Sequence, residues 1–310
     1  MYIYNNNIRM YYDNVFVMFL KVSFIILVLV GFLHYYTKSI DKKKENFKKY
    51  EHERENKKIP LDIYQTWYTK NLPPAMKRCV DRLKFDNPEF THHLYDDKMC
   101  REFIKNKFDK SVLQAFDKLK PGAYKADLWR YCILYKKGGI YLDIKYQCEP
   151  GFKLIELIDT EQFVLERPYI DPMMSNENNL ELIQDIRKYI NLSTEHMWKN
   201  KEIGIYNALI VCKPNNKTMY KCIMQCVKNI NSNYYGVSSI APTGPILCGK
   251  KYFRSDSNNI DKINLFYSIN GLYILNKRRP ILKQYDEYYK TDNAQKPSYH
   301  IMWQNRDIYN

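Results

Sequence analysis

Residues 126–148 read ADLWRYCILYKKGGIYLDIKYQC. An acid and a guanidinium, Asp127 and Arg130, stand three residues apart in an otherwise apolar stretch, a spacing that puts both on one face of a helix. A planar guanidinium grips sugar hydroxyls or diphosphate oxygens through parallel N–H bonds, a geometry that lysine cannot imitate. A second acid, Asp143, follows the Gly138-Gly139 break, and Lys145 stands two residues further on, so the segment ends Asp-Ile-Lys. An ordinary surface ion pair beside Trp129, Tyr131 and Leu134 is the plain alternative. The succession Asp, Arg, Gly-Gly and then a strand-end acid within 17 residues favours a site.

Such residues need elements to aim them. Gly138 and Gly139 are expected to end the helix through a left-handed C-cap, which costs glycine nothing. IYLDIKY (140–146) then reads as a strand, with Ile140, Leu142 and Ile144 on one face and Tyr141, Asp143 and Lys145 on the other. Further strands are expected at 59–68, 90–97, 162–168, 205–213 and 263–268, and helices at 75–85, from Ser111 through Lys137 with a pause at Pro121-Gly122, and at 218–230. Met76, Cys79, Val80 and Leu83 mark the inner side of the first helix, and Asp96 or Asp97 can cap the helix after the second strand. Strands alternating with helices argue for a single α/β domain over 58–310 with a largely parallel, mixed sheet. Ligands of such sheets gather at the carboxyl ends of strands, where Asp143 and Lys145 belong.

The front of the 310-residue chain is different. Residues 1–14 form a short tail, and VFVMFLKVSFIILVLVGFL (15–33) carries a single charge, Lys21. Nineteen helical residues reach roughly 28 Å, about the thickness of a bilayer core, so 15–36 is expected to be a single-pass membrane anchor, and 37–57 a charged stalk. The stalk lysines next to the span favour a cytoplasmic domain by charge asymmetry, whereas many anchored enzymes of this layout face the secretory lumen; the side stays open. With 45% hydrophobic and 27% charged residues the chain is not disordered at large. Its net charge of +15 suits an anionic partner, yet no array of a nucleic-acid-binding type appears, and nucleic acid is not an expected partner. The 8 cysteines form no C-x-x-C pair or zinc spacing; Cys222 and Cys226, one helical turn apart, suggest shared core packing. Asn191 and Asn216 open the two Asn-x-Ser/Thr triplets. The run KRRP (277–280) reads as a solvated loop that could meet an anionic acceptor or lipid.

The motifs together resemble the DXD-containing sugar transferases, a family of initiating mannosyltransferases and capsular polysaccharide enzymes. Matching residues are Ile59, Pro60, Ile63, Gln65 and Trp67; Asn87 and Pro88; Ala126, Asp127, Arg130 and Tyr131; Gly138, Gly139, Tyr141 and Asp143; Tyr206, Asn207 and Ala208; and Thr243, Gly244 and Pro245. They cover 58 to about 247, and the A-D-x-x-R-Y to G-G-x-Y-x-D block is the specific part.

This resemblance implies a GT-A fold and hexose transfer, with retained anomeric configuration, from a UDP- or GDP-hexose to a glycan, lipid or protein acceptor. It implies catalytic roles for Asp127, Arg130 and Asp143, and donor binding by Gln65, Trp67, Tyr131, Gly139, Tyr141, Lys145, Asn207 and Gly244. Trp67 would offer a flat face to the base. A divalent metal, Mn²⁺ or Mg²⁺, is also implied, although Lys145 stands where the motif has its second acid and an ammonium cannot ligate. Either Asp143 holds the ion with help from His300, which is the favoured expectation, or Lys145 replaces part of its charge. The family's terminal Ser-Trp is matched only loosely, by Trp303. An inactive relative that binds glycans as a tethered scaffold is the alternative from another functional class.

Overall fold

The computed structural model describes residues 59–166, 204–253, 266–269, 273–276, 279–288 and 298–310, with positions 31, 34, 35, 37 and 38 besides. The chain divides into two compact units, Met1–Glu55 and Asn56–Asn310. In the first, the five described positions are helical, and the Thr37 hydroxyl donates to the His34 carbonyl at 2.9 Å. The expected tail, anchor and stalk lie almost wholly outside the described residues. Among those described, no helix is long and apolar enough to cross a membrane.

The second unit begins with β1 (Asp62–Thr66), α1 (Pro74–Asp86), β2 (Thr91–Tyr95), α2 (Asp97–Lys107), α3 (Lys110–Lys118) and α4 (Gly122–Lys137). It continues with β3 (Gly139–Leu142), β4 (Tyr146–Cys148), a 3₁₀ turn (Leu154–Leu157), β5 (Gln162–Glu166), β6 (Gly204–Cys212) and α5 (Lys217–Asn231). After these come α6 (Pro245–Phe253), β7 (Phe266–Ile269), β8 (Tyr273–Asn276), β9 (Arg279–Gln284) and α7 (Tyr299–Gln304).

Local chemistry accounts for the boundaries. Proline opens α1, where its missing N–H has no intrahelical partner to lose. Met76, Cys79, Val80 and Leu83 are its buried residues, as their spacing predicts. The Asn87 amide closes the helix by donating to the Leu83 carbonyl at 2.9 Å. Asp96 caps α2, its carboxylate accepting from the Met99 N–H at 2.8 Å. α4 is buried on every side from Asp127 to Leu134, so its acid and its guanidinium belong to a core helix, where polar groups persist only if paired.

Gly138 ends α4 at φ 65° and ψ −164°, an extended conformation at positive φ that is essentially reserved for glycine rather than the expected left-handed helical cap. A Cβ there would lie 2.6 Å from Pro214.

The sheet order is β2-β1-β3-β6-β5-β7-β8-β9-β4. β1 pairs in parallel with β2 and with β3, and β5 with β7. The remaining pairings are antiparallel. The sheet is mixed, as expected, but not largely parallel, because β6 runs backwards between β3 and β5 and the chain closes through the β7-β8-β9 meander. Ile140 and Leu142 pack into the apolar cluster on one side of the sheet. Tyr141 joins Trp129, Tyr131 and the helices on the other.

Two consequences matter for function. First, β1, β3 and β5 point the same way, since β6 is antiparallel to both β3 and β5. Trp67, Asp143 and Glu166, at or just past their carboxyl ends, therefore share one edge of the sheet with the amino-terminal part of β6. Second, the strand expected over 140–146 stops at Leu142. The chain turns with the Tyr146 N–H on the Asp143 carbonyl at 3.1 Å, so Lys145 sits in that turn rather than on the strand.

Other readings are also revised. Arg279 and Pro280 begin β9 instead of lying in a loop. Asn216 caps α5 by accepting from the Met219 N–H at 3.0 Å and donates to Glu161 at 2.9 Å, so its amide is committed; Asn191 lies outside the described residues. All eight cysteines are free thiols, seven of them buried, and Cys222 and Cys226 share the helix-side core as expected.

Candidate functional site

α4 delivers Asp127 and Arg130 to the edge where β3 ends. The Asp127 carboxylate accepts from Asn207 Nδ2 at 3.0 Å through Oδ1 and from Thr243 Oγ1 at 2.9 Å through Oδ2. Arg130 Nη1 lies 3.3 Å from Oδ1. Of the roughly four lone-pair sites on a carboxylate, one on Oδ2 is left over. Gly244 makes the approach to that oxygen possible, since a Cβ on it would lie 3.3 Å from Oδ2. Burial pushes the Asp127 pKa up, while Arg130, Asn207 and Thr243 oppose the rise.

Arg130 is fixed from two sides. Nη1 donates to the Asn207 carbonyl at 2.7 Å and Nε to the Ala126 carbonyl at 3.3 Å. The guanidinium lies over the Tyr141 ring, 4.3 Å from its centroid, a cation–π contact. Nη2 makes no hydrogen bond to a described residue and stands 3.7 Å from Asp143 Oδ1. Burial works against the cation, but Tyr141, Asp127 and Asp143 keep its pKa above the ordinary arginine value.

Asp143 completes the group. Its N–H extends the ladder onto the Ala208 carbonyl at 2.8 Å, and Oδ1 accepts from the Tyr141 hydroxyl at 2.9 Å. Oδ2 faces Lys145 Nζ at 3.9 Å. Behind it, Gln65 Nε2 donates to the Asp143 carbonyl at 3.5 Å, and Gln65 Oε1 is paired with His92 Nε2 at 2.8 Å. Burial pushes His92 down to about 4, so it is neutral and donates to that oxygen.

The remaining sequence candidates divide. Tyr131 is wholly buried; it donates to the Thr243 carbonyl at 2.9 Å and accepts from Asn207 Nδ2 at 2.6 Å. It positions its neighbours from behind. Tyr141 likewise sits between Arg130 and Asp143. Gly139 lies at the opposite end of β3, where a Cβ would meet the Asp62 carbonyl at 2.6 Å, so its place is structural. Trp67 packs against the cluster of Met76, Cys79, Val80, Ile144 and Tyr285, with a buried Nε1 that has no partner.

Glu166 was not singled out by sequence, because QFVLE reads as an ordinary strand. It ends β5 on the same edge. A Cβ at Gly204 would lie 2.6 Å from Glu166 Oε2 and 3.0 Å from Pro245, so Glu166 fills the space beside the Thr243-Gly244-Pro245 turn that backs Asp127. Burial first, and then Asp127, push its pKa up to about 8, against the pull of Lys145. Tyr299 at the start of α7 is exposed, and its ring lies 5.8 Å from that of Tyr124. Neither residue carries a motif signal; only the topology assembles them.

Unmet polar groups gather here. Asn207 Oδ1, Glu166 Oε2 and Trp67 Nε1 are buried without a hydrogen-bond partner. Native proteins rarely leave such atoms unsatisfied unless a ligand or water meets them. The edge thus offers acceptors for hydroxyls at Asp127 and Asn207 and cations for phosphate at Arg130 and Lys145.

The donor set does not suit the expected metal. Mn²⁺ and Mg²⁺ take about six oxygen ligands in a near-octahedral shell. Asp143 already answers to Tyr141, Arg130 and Lys145. A dication on its Oδ2 would lie within about 6 Å of the ammonium, a repulsion of roughly 5 kcal/mol at an effective dielectric near 20. His300 does not supply the second ligand: Nδ1 is paired with Ser239 Oγ at 3.2 Å and Nε2 with Gln304 at 3.0 Å, and the ring stacks on Trp303. Among the described residues, no group of three or more His, Cys, Asp or Glu could hold an ion. Trp303 is structural as well, its Nε1 donating to the Tyr235 carbonyl at 2.7 Å.

Residues 73–164, which hold α4, β3 and Asp143, match the family described as the glycosyltransferase sugar-binding region containing DXD motif. Through that region the chain is similar to the DXD-motif glycosyltransferases. Similar proteins include inositol phosphoceramide mannosyltransferase 3 of Schizosaccharomyces pombe, 38% identical over 94 residues, which are 29% of this chain and 25% of that protein. The initiation-specific alpha-1,6-mannosyltransferase of Candida albicans is 30% identical over 120 residues, 36% of this chain and 30% of its own length. An uncharacterized glycosyltransferase of Acanthamoeba polyphaga mimivirus is 36% identical over 92 residues, 29% and 37% of the two chains. The match thus spans between 25% and 37% of these relatives. Among solved structures, PaToxG Glycosyltransferase overlays with a TM-score of 0.41 at 14% identity, over 80% of this chain and 85% of that one, a likeness too slight to argue from.

Proposed function

We propose that the chain is a glycosyltransferase of GT-A type that moves a hexose, with retained configuration, from a nucleoside diphosphate onto a glycan, lipid or protein hydroxyl. One observation carries this reading: Asp127, Arg130 and Asp143 converge within 3.3–3.7 Å beside unmet acceptors at the carboxyl edge of the sheet. Similar mannosyltransferases, three of them named for inositol phosphoceramide, make mannose the first hexose to test and an inositol-bearing lipid the first acceptor. The apolar run at 15–33, read as an anchor, would hold the domain beside a lipid acceptor.

The roles follow from chemistry. Asp127 Oδ2 and Asn207 Oδ1 accept from donor hydroxyls, and Arg130 Nη2 donates to the diphosphate. The bond from the anomeric carbon to the diphosphate oxygen breaks, the acceptor oxygen takes its place, and the acceptor proton leaves with the nucleoside diphosphate. Negative charge builds on that leaving group, where preplaced cations lower the barrier. Tyr131, Tyr141, Gln65, Thr243 and Gly244 hold these groups in position, and the Trp67 ring offers its face to the base.

Lys145 in the third place of the motif is the one feature that favours an inactive, glycan-binding relative. Release of free hexose and nucleoside diphosphate from a panel of UDP- and GDP-hexoses by the purified full chain separates the two. Turnover of one donor supports the enzyme; donor binding without any turnover, with and without acceptor, supports the scaffold.

A further inference from the structure

We propose that the Lys145 ammonium takes the place of a divalent cation at the Asp-Ile-Lys motif, so that this chain grips its donor diphosphate without metal. The inference rests on the reading of the site as one for a nucleoside diphosphate sugar.

Lys145 is not a free surface lysine. Its side chain is 17% exposed, held in the turn that the Tyr146 N–H closes onto the Asp143 carbonyl. The ammonium lies 5.4, 5.8 and 5.9 Å from the ring centroids of Tyr146, Tyr206 and Tyr288, a tyrosine cage of the kind that retains cations. The Tyr146 and Tyr206 hydroxyls brace each other at 2.9 Å, so two walls of the cage are fixed. The 3.9 Å gap to Asp143 Oδ2 is too long for a hydrogen bond. The ammonium thus stands beside the carboxylate, and with one N–H given to the Tyr206 hydroxyl its other donors are left for an anion.

Charge balance points the same way. Two motif carboxylates and one dication sum to zero. One carboxylate and one ammonium, Asp143 and Lys145, also sum to zero. Adding a dication to the pair would leave a surplus of two positive charges beside buried Arg130, whereas the ammonium alone keeps the family's balance. Arg130 Nη2, 3.7 Å from the other oxygen of Asp143, supplies the second prong. A diphosphate would lie between a guanidinium and an ammonium on either side of one acid, a point charge and a planar fork being the two ways that side chains hold phosphate.

The test is calorimetric titration of the full chain in detergent with UDP and with GDP, once in Mn²⁺ and once in EDTA. The preferred nucleotide should bind with a dissociation constant equal within about two-fold in both buffers, and K145A should weaken it about ten-fold or more in both. K145D, which rebuilds the two-acid motif, should bind poorly in EDTA and recover in Mn²⁺. Loss of wild-type binding in EDTA by ten-fold or more overturns the inference, as does a K145D protein that binds in EDTA like wild type. Failure of both nucleotides to bind in both buffers overturns instead the reading of the site itself. The wild-type comparison needs no variant to fold.

Discussion

Arg130 and Asp143 face each other at 3.7 Å, although a core helix carries one and a strand end the other. The two lie 13 residues apart in sequence, and the Gly138 break turns the chain so that they meet. Because Arg130 also lies 3.3 Å from Asp127, one guanidinium joins both acids of the site.

Arg130 should therefore be the most sensitive position. R130K keeps the charge but loses the planar fork, and turnover should fall roughly 10²-fold. R130A leaves Asp127 buried without its cation and should cost about 3–5 kcal/mol of stability besides. Donor turnover and urea unfolding of both variants check this; R130K turning over at the wild-type rate would remove Arg130 from the chemistry.

Gly244 should matter through its missing Cβ. An alanine there would press on Asp127 Oδ2 at 3.3 Å and on the Ile240 carbonyl at 3.1 Å. A displaced carboxylate should reduce kcat by roughly ten- to a hundred-fold, while the helical start at Pro245 persists. Circular dichroism together with kcat tests it, and unchanged kcat in a folded G244A protein counts against the assigned role of Asp127.

Asn207 donates to Asp127 and to Tyr131 at once. N207A strands both partners, and unfolding free energy should drop by about 1–3 kcal/mol. Urea titration measures it; a wild-type midpoint would show that the amide is not holding the acid.

Glu166 gives a pH signature. Its folded pKa of about 8 lies above the ordinary 4.5, so between those values the native state holds the proton and the unfolded state does not. Its contribution to stability is full below about 4.5 and is lost as pH rises toward about 8, at no more than about 1.4 kcal/mol per pH unit. E166Q mimics the protonated form and should not share this loss. Urea unfolding of both proteins at pH 5, 7 and 8.5 should show the wild type falling behind E166Q as pH rises. Parallel curves would contradict the burial of Glu166 as a neutral acid.

Much of this was legible in the residues. The spacing of Met76, Cys79, Val80 and Leu83 marked the buried side of α1, and the pairing of Asp127 with Arg130 followed from helix geometry alone. Thr243, Asn207 and Ala208 each bond to Asp127, Arg130 or Asp143, and Gly244 leaves room for the Asp127 carboxylate, which explains why short, scattered motifs belong together. Other features were hidden because alternation says nothing about where a strand stops: Ile144 and Lys145 continue the pattern of β3, yet the chain has already turned. Glu166 was invisible for a different reason. Its position depends on β6 running backwards beside β5, a long-range pairing that no local window contains. His300 was expected to help hold the metal, but one helical turn stacks its ring on Trp303 and Ser239 takes the imidazole.

A crystal structure of the full chain with an unhydrolysable UDP- or GDP-hexose bound tests the proposed site most directly. The diphosphate should lie within hydrogen-bond distance of Arg130 Nη2 and Lys145 Nζ, with hexose hydroxyls on Asp127 and Asn207. A donor seated away from Asp127, Arg130 and Asp143 would contradict it.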